Sequence, residues 1–285
     1  MIGFFDSGVG GLTVQQEVVK RLPSYSTIYL GDNARSPYGT KTHEELVQYT
    51  WEGVQWLFAQ GAELVIVACN SASASALREI QQTKLPLLTK EGVGVVSSTT
   101  TRRVLGVIRP TVEELVKRGF DDIAVLSTEA TKKSEAYPHE IHKLNPNAQV
   151  VSFACPTWAS MIEAGKAGTE EMAEQVGRDM EELKRLDPDV KAVLLACTHY
   201  PYVKADVELA LGPDVTVFDQ GKLVAESLED YLDRHPEIEQ KLDRTQKATY
   251  YTTGDSTLST KVAQEAFGFV VTFEHVDLQN VLKNL

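Results

Sequence analysis

Residues 64–73 read LVIVACNSAS, and residues 192–201 read AVLLACTHYP. Each is a short apolar run that ends in alanine and cysteine, then passes at once into small or hydroxyl-bearing residues. Runs this short are too brief for buried helices. They show no apolar–polar alternation, so they read as strands covered on both faces, as in a parallel sheet. Residues 71–82 then take up a helical pattern. The same unit of strand, cysteine and helix start therefore occurs twice, with Cys69 and Cys197 128 residues apart. This long-period repeat organises the chain, and no tandem repeat has a short period.

The alternation continues outward from these two runs. Strands are expected at 2–5, 27–30, 123–126, 150–153 and 215–218. Helices are expected at 12–22, 43–60, 113–118, 135–144, 161–186 and 222–233. The C-terminal part, 248–274, reads as a strand, a helix capped from Thr253-Gly254-Asp255-Ser256, and a β-rich end. Such alternation predicts an α/β fold with parallel sheet. The stretch 85–105 breaks the rhythm with small, β-branched and polar residues, so an extended loop or hairpin is expected there.

With 285 residues, 42% hydrophobic and 24% charged, the chain has the composition of an ordinary globular protein with room for one large domain or two modest ones. Its 28 basic and 40 acidic residues give a net charge of −12. That balance repels phosphate backbones and anionic membranes. The densest basic stretches, Arg102-Arg103 and Lys132-Lys133, are too short to reverse it, so neither a nucleic-acid nor a membrane partner is expected. Three cysteines, Cys69, Cys155 and Cys197, cannot form a disulfide framework, and no C-x2-C pair suggests structural zinc. The N-terminus lacks the basic start and apolar core of a signal peptide, so a reducing cytoplasm with free thiols is expected.

Ligands of parallel α/β sheets bind beyond the carboxyl ends of the strands. Reactive side chains gather there in this chain: Asp6-Ser7-Gly8, Gly31-Asp32, Cys69-Asn70-Ser71, Ser127-Thr128 and Cys197-Thr198-His199. A lone cysteine is most often a small buried hydrophobe, and Cys155 is read that way. Cys69 and Cys197 each stand between a strand end and a helix start, where the helix N-terminus is expected to lower the thiol pKa. The glycines of Asp6-Ser7-Gly8-Val9-Gly10-Gly11 raise the possibility of a dinucleotide loop, with Asp32 as its ribose acid. The G-x-G-x-x-G spacing fails, however, because residue 13 is Thr13, and Asp6 is awkward beside a pyrophosphate. A small ligand with carboxylate or ammonium groups fits better. His199 next to a thiol suits proton transfer more than metal binding, since Cys197-x-His199 supplies too few ligands. Pro37-Tyr38-Gly39 is either a simple turn or a ligand-contacting loop that uses backbone and phenol.

Together FFDSGVGGLTV, YLGDNARSPYGTKT, LVIVACNSASA, GVIRP, ACP, LLACTHYP, DQG and TGDS carry a resemblance. The chain resembles the glutamate racemases of the cofactor-independent aspartate/glutamate racemase superfamily. The resemblance implies two similar parallel-sheet α/β domains with the active site in the cleft between them. The first would comprise 1–104 and 207–285, and the second 105–206. It implies that Cys69 and Cys197 are the proton-transfer bases, assisted by Asp6 and His199 respectively, with Glu163 as a further carboxylate. Substrate contacts are implied for Asp6, Ser7, Tyr38, Gly39, Asn70, Ser71, Thr198 and His199. Thr128, at its own strand end, is placed with them. No metal or other cofactor is expected, and the chain is expected to form a homodimer.

Three features depart from the family pattern. Ser71 stands where threonine is usual, which keeps the hydroxyl. Glu135-Ala136-Tyr137 replaces Asn-Ala-Tyr, which is expected to add a charge to a helix. Residues 87–103 look inserted near the domain crossover, where they could alter a hinge or a dimer surface. The residues themselves leave rivals: a racemase of the same superfamily acting on aspartate, or a cysteine hydrolase or amidase with a thiol nucleophile and His199 as base. The hydrolase leaves one strand-end thiol without a role.

Overall fold

The apolar runs become strands. In the computed structural model, which describes residues 1–82, 88–89, 92–93 and 102–278, these are β1 (Ile2–Asp6), β2 (Thr27–Gly31), β3 (Leu64–Val67), β6 (Arg103–Gly106), β7 (Asp122–Ser127), β8 (Gln149–Ala154), β9 (Ala192–Ala196), β10 (Thr216–Phe218), β11 (Ala248–Thr252) and β12 (Phe273–His275), with a small pair, β4 (Leu88–Thr89) and β5 (Gly92–Val93), set apart. Every residue of β1, β2, β3 and β9 is buried. Each large side chain so covered contributes roughly 2 kcal/mol by leaving water.

Two parallel sheets result. The first has the order β12-β11-β2-β1-β3-β6, the second β10-β9-β7-β8. In the first sheet β1 lies between β2 and β3; in the second β7 lies between β8 and β9. The first three strands of each unit therefore have the same arrangement, second-first-third. Chain direction across the sheet reverses at the first strand, which opens a crevice at the carboxyl ends. Both cysteines of the sequence repeat follow the third strand of their unit.

Twelve helices connect the strands among the described residues: α1 (Leu12–Arg21), α2 (His43–Ala59), α3 (Asn70–Gln82), α4 (Ile108–Lys117), α5 (Glu129–Lys133), α6 (Ala136–Leu144), α7 (Trp158–Glu163), α8 (Glu170–Leu186), α9 (Lys204–Leu211), α10 (Gly221–Arg234), α11 (Pro236–Glu239) and α12 (Ser256–Glu265). None is long and apolar enough to cross a membrane. Thr42 and Glu45 form a reciprocal capping box at the start of α2, a device worth about 1 kcal/mol. Asp255 caps α12 by accepting from the Leu258 N–H, as its position in TGDS suggested. Helix α10 packs on α1, which fastens the return of the chain to the first sheet.

Several expectations need correction. The helix expected over 161–186 is two helices, because Gly165 and Gly168 take positive φ (75° and 78°) in the turn between them. The helix expected over 113–118 begins at Ile108; Pro110 is accommodated in its first turn, where no intrahelical N–H bond is lost. Residues 103–106, expected in a loop or hairpin, are instead β6, the edge strand beside β3. Leu88–Thr89 and Gly92–Val93 do pair as an antiparallel hairpin. The rest of the segment read as inserted, up to residue 101, lies outside the described residues. The second domain does not end at 206. β10 pairs with β9, so the chain returns to the first sheet only after Phe218.

Candidate active site

Asp6 ends β1 and Ser7 follows it, beside the end of β3, where Cys69 stands. The Cys69 thiol is 5% exposed and donates to Ser7 Oγ at 3.6 Å. Burial pushes its pKa up to about 12, and the charge of Asp6 adds to the effect; the Ala72 N–H and the Ser7 hydroxyl act the other way without balancing it. The expectation that the helix start lowers this thiol's pKa therefore fails: loss of solvent outweighs the N-terminal field of α3. Asp6 is itself wholly buried and its pKa is raised, chiefly by burial, against the opposing influence of His199 and the N–H groups of Gly8 and Gly11. One carboxylate oxygen accepts from the Gly8 N–H at 3.0 Å, and the other has no partner among the described residues.

The second thiol has a different setting. Cys197 follows β9 and is 7% exposed. Its Sγ lies 3.7 Å from His199 Nδ1, and His199 Nε2 lies 2.9 Å from Glu163 Oε1 at the end of α7. Burial opposes charge on the imidazole, but the hydrogen bonds and charges of Cys197 and Glu163 outweigh it and hold the His199 pKa well above its usual value. Glu163 also loses solvent, and the His199 bond and charge more than compensate, so its pKa falls. Phe267 closes the edge of the imidazole, with ring centroids 5.6 Å apart.

The two units interlock here. Thr13 Oγ1, at the start of α1, shares its hydrogen between the Gly10 carbonyl at 2.8 Å and the Thr198 carbonyl at 3.1 Å. Gly10 is pressed so close to the second thiol's loop that a Cβ on it would lie 2.6 Å from Thr198 Oγ1 and 2.7 Å from His199 Cε1. Ser71, in the first turn of α3, bonds Thr128, the cap of α5, at 2.9 Å, and Thr131 joins this hydroxyl cluster. Gly39 backs onto Thr128 as well, with room for only a tight Cβ at 3.0 Å. Asn70, beside Cys69, is buried with both ends of its amide bonded. Most site residues read from the sequence thus fall at strand ends or in the turns that follow them, while Glu163 comes from the end of α7.

The Pro37-Tyr38-Gly39 loop differs from its expected chemistry. The Tyr38 hydroxyl donates to Asp32 Oδ2 at 2.5 Å. Its hydrogen is committed, which leaves main-chain groups and the phenolic oxygen to face a ligand. Asp32, considered above as a ribose acid, instead accepts from Tyr38, from Arg35 Nε at 2.7 Å and from Thr253 Oγ1 at 2.7 Å. Sequence reasoning missed this supporting role, although the spacing Asp32-x-x-Arg35-x-x-Tyr38 places the groups within reach. It also missed the bonds that Tyr137 and Gln220 make to Asn70; both lay within quoted motifs, yet nothing local in the sequence shows that they meet.

A repeated α/β unit, each copy carrying a cysteine after its third strand, with an acid beside one thiol and an imidazole beside the other, has the design of an amino-acid racemase. The sequence profile of the Asp/Glu/hydantoin racemase family matches residues 12–228. The chain belongs to that family. It is 40% identical over 266 residues to a glutamate racemase from Paracoccus denitrificans, covering 89% of this chain and 92% of the relative. It is 36% identical over 279 residues to one from Listeria innocua, covering 97% and 98%. Among solved structures, a glutamate racemase isoform from Bacillus anthracis superposes with a TM-score of 0.84 at 31% identity, covering 98% of this chain and 97% of that one. An aspartate racemase from Picrophilus torridus shares the fold at a TM-score of 0.54 and 18% identity, over 81% of this chain and 94% of that one.

Proposed function

We propose that this protein interconverts L- and D-glutamate by taking the α-proton with one thiol and delivering another proton to the opposite face from a second thiol, without metal, pyridoxal phosphate or nucleotide. The observation that carries this reading is the duplicated thiol: equivalent positions in two repeated units, different helpers, and interlocking loops between them. Inverting an α-carbon requires a proton to leave one face and another to arrive at the opposite face. Two opposed bases do this without turning the substrate. Cys197, with the cationic His199 beside it, takes the proton from L-glutamate; Cys69, held as a thiol by burial, supplies the other. The roles reverse for D-glutamate, with Asp6 serving Cys69 and Glu163 orienting His199.

Ser7, Asn70, Ser71, Thr128 and Thr198, with the main chain at Tyr38 and Gly39, bind the ammonium and carboxylate groups. Fixed donors of this kind stabilise the charge that develops at the α-carbon. They also let a protein of charge −12 hold a substrate with two carboxylates. The cleft lies between residues 1–106 with 219–278 on one side and 107–218 on the other. The enzyme works as a cytoplasmic homodimer and supplies D-glutamate for peptidoglycan.

Aspartate is the rival substrate. The glutamate racemases above share 31–40% of their residues with this chain, whereas the aspartate racemase, at 18%, speaks for the fold alone. A hydrolase has no use for the second thiol. The test is incubation of dialysed, chelator-treated protein with L-glutamate, L-aspartate and L-glutamine, followed by chiral analysis. D-Glutamate alone is expected. D-Aspartate as the main product, release of ammonia from glutamine, or activity that returns only on adding a cofactor would each refute the reading.

A further inference from the structure

Asn70 belongs to a hydrogen-bond network with groups from three other segments. Its Nδ2 donates to Gln220 Oε1 at 2.7 Å, and its Oδ1 accepts from the Tyr137 hydroxyl at 2.5 Å. Gln220 Nε2 donates in turn to the Tyr137 oxygen at 2.5 Å and to Thr111 Oγ1 at 3.3 Å. All four residues are buried. Thr111 lies on α4, just after the chain leaves the first sheet, and Gln220 precedes α10, just as it returns. Tyr137 belongs to α6 of the second unit. The ring of bonds thus ties the residue beside Cys69 to both crossovers.

The direction of every bond follows from one main-chain carbonyl. Thr111 Oγ1 donates its only hydrogen to the Val107 carbonyl at 2.7 Å, so towards Gln220 it can only accept. Gln220 must then turn its NH2 to Thr111 and Tyr137, and its carbonyl to Asn70. Asn70 must answer with its own NH2, which leaves its carbonyl for the Tyr137 hydroxyl. Neither amide can flip without setting acceptor against acceptor in a buried place, where an unmatched group costs about 1–3 kcal/mol. Asn70 is held in one orientation, and its NH2 keeps a second hydrogen.

We propose that Tyr137 and Gln220 are positioning residues that fix the Asn70 amide, so that its second N–H is presented to a substrate carboxylate beside Cys69. This rests on the function proposed above, and it adds two residues that touch no reacting atom.

Tyr137→Phe removes one oxygen and keeps the ring. It is expected to raise KM for both glutamate enantiomers about tenfold, with kcat within about threefold, in protein whose circular dichroism is unchanged. Gln220→Glu keeps the shape but loses both donated bonds, and should raise KM at least as much. A structural role alone would not reproduce the next result: in an Asn70→Ala background, Tyr137→Phe should raise KM less than twofold further, because the group it positions is gone. Wild-type KM in folded Tyr137→Phe, or a full tenfold increase on top of Asn70→Ala, would overturn the proposal. Cys69→Ala in the same assay separates the two levels of inference. Racemisation without that thiol refutes the proposed function; an inert Cys69→Ala beside a Tyr137→Phe of wild-type KM refutes the positioning role alone.

Discussion

Gly10→Ala tests the interlock between the units most directly. The added Cβ would lie 2.6 Å from Thr198 Oγ1, 2.7 Å from His199 Cε1 and 2.8 Å from His199 Nδ1. Ordinary contact begins at 3.4 Å, so the loop carrying Cys197, Thr198 and His199 must retreat by about 0.8 Å. Glu163 and Phe267 hold the imidazole from the far side, so it has little room to yield without loosening its bond to Cys197. Overpacking of this kind costs about 1–3 kcal/mol of stability, and misplacing a catalytic group by ~1 Å can cost about 100-fold in rate. The protein should fold, with kcat/KM reduced about 100-fold. Because the enantiomers have equal energy, that loss must be the same in both directions. The damage is one-sided only in isotope exchange: in deuterated water, wash-in at the α-carbon of L-glutamate should fall far more than that of D-glutamate, since Cys69 is untouched. A folded Gly10→Ala enzyme of wild-type rate, or one in which the D-glutamate exchange falls first, would refute the close docking of Gly10 on the loop that carries Cys197.

Other perturbations follow from the same geometry. Cys69→Ala and Cys197→Ala should each abolish racemisation; any residual α-proton exchange should be confined to L-glutamate in the first and D-glutamate in the second, as measured by NMR in deuterated water. Glu163→Gln should lower stability by about 1 kcal/mol, a modest figure because about a third of the Glu163 side chain is exposed. The lowered Glu163 pKa gives stability that is present above its ordinary 4.5 and lost in acid, and the raised His199 pKa gives stability present below 6.5 and lost as pH climbs through the raised value. The gap in thermal midpoint between wild type and variant should therefore be widest between those two pH values and shrink on either side. Glu135 sits at φ 54° ahead of α6 with no side-chain capping bond, so Glu135→Asn should stabilise the fold by roughly 1 kcal/mol and raise the midpoint by about 2–4 °C.

Most of the site was legible because parallel sheets put chemistry at strand ends, and strand ends can be read from where apolar runs stop. Cys69 and Cys197 were visible for that reason. Their electrostatics were not: the pKa of Cys69 is set by burial and by Asp6, and neither the loss of solvent around the thiol nor the approach of a residue 63 positions away is written in the local sequence. The same limit hid Tyr137, Gln220 and Asp32, whose partners come from distant segments. Elements were misjudged where tertiary contacts decided them. Arg103–Gly106 is a strand because it has β3 to pair with. Glu135, expected to charge a helix, stands just before one. The helix over 161–186 was broken by two glycines that a helical pattern can absorb on paper.

The order of the first sheet bears on how the chain matures during synthesis. Residues 122–218 contain all four strands of the second sheet, so that unit can close as soon as it leaves the ribosome. β2 must wait. Its outer neighbour is β11, and the register pairs Thr27 with Ala248, so more than 200 residues must be made before the second side of β2 is covered. Until then the nascent protein carries an open strand edge, with unpaired N–H and C=O groups, of the sort that invites pairing between chains. A truncation ending before Ala248 would leave that edge bare for good, and the stretch from Ala248 to His275, which holds none of the three cysteines, acts as the cover of that edge.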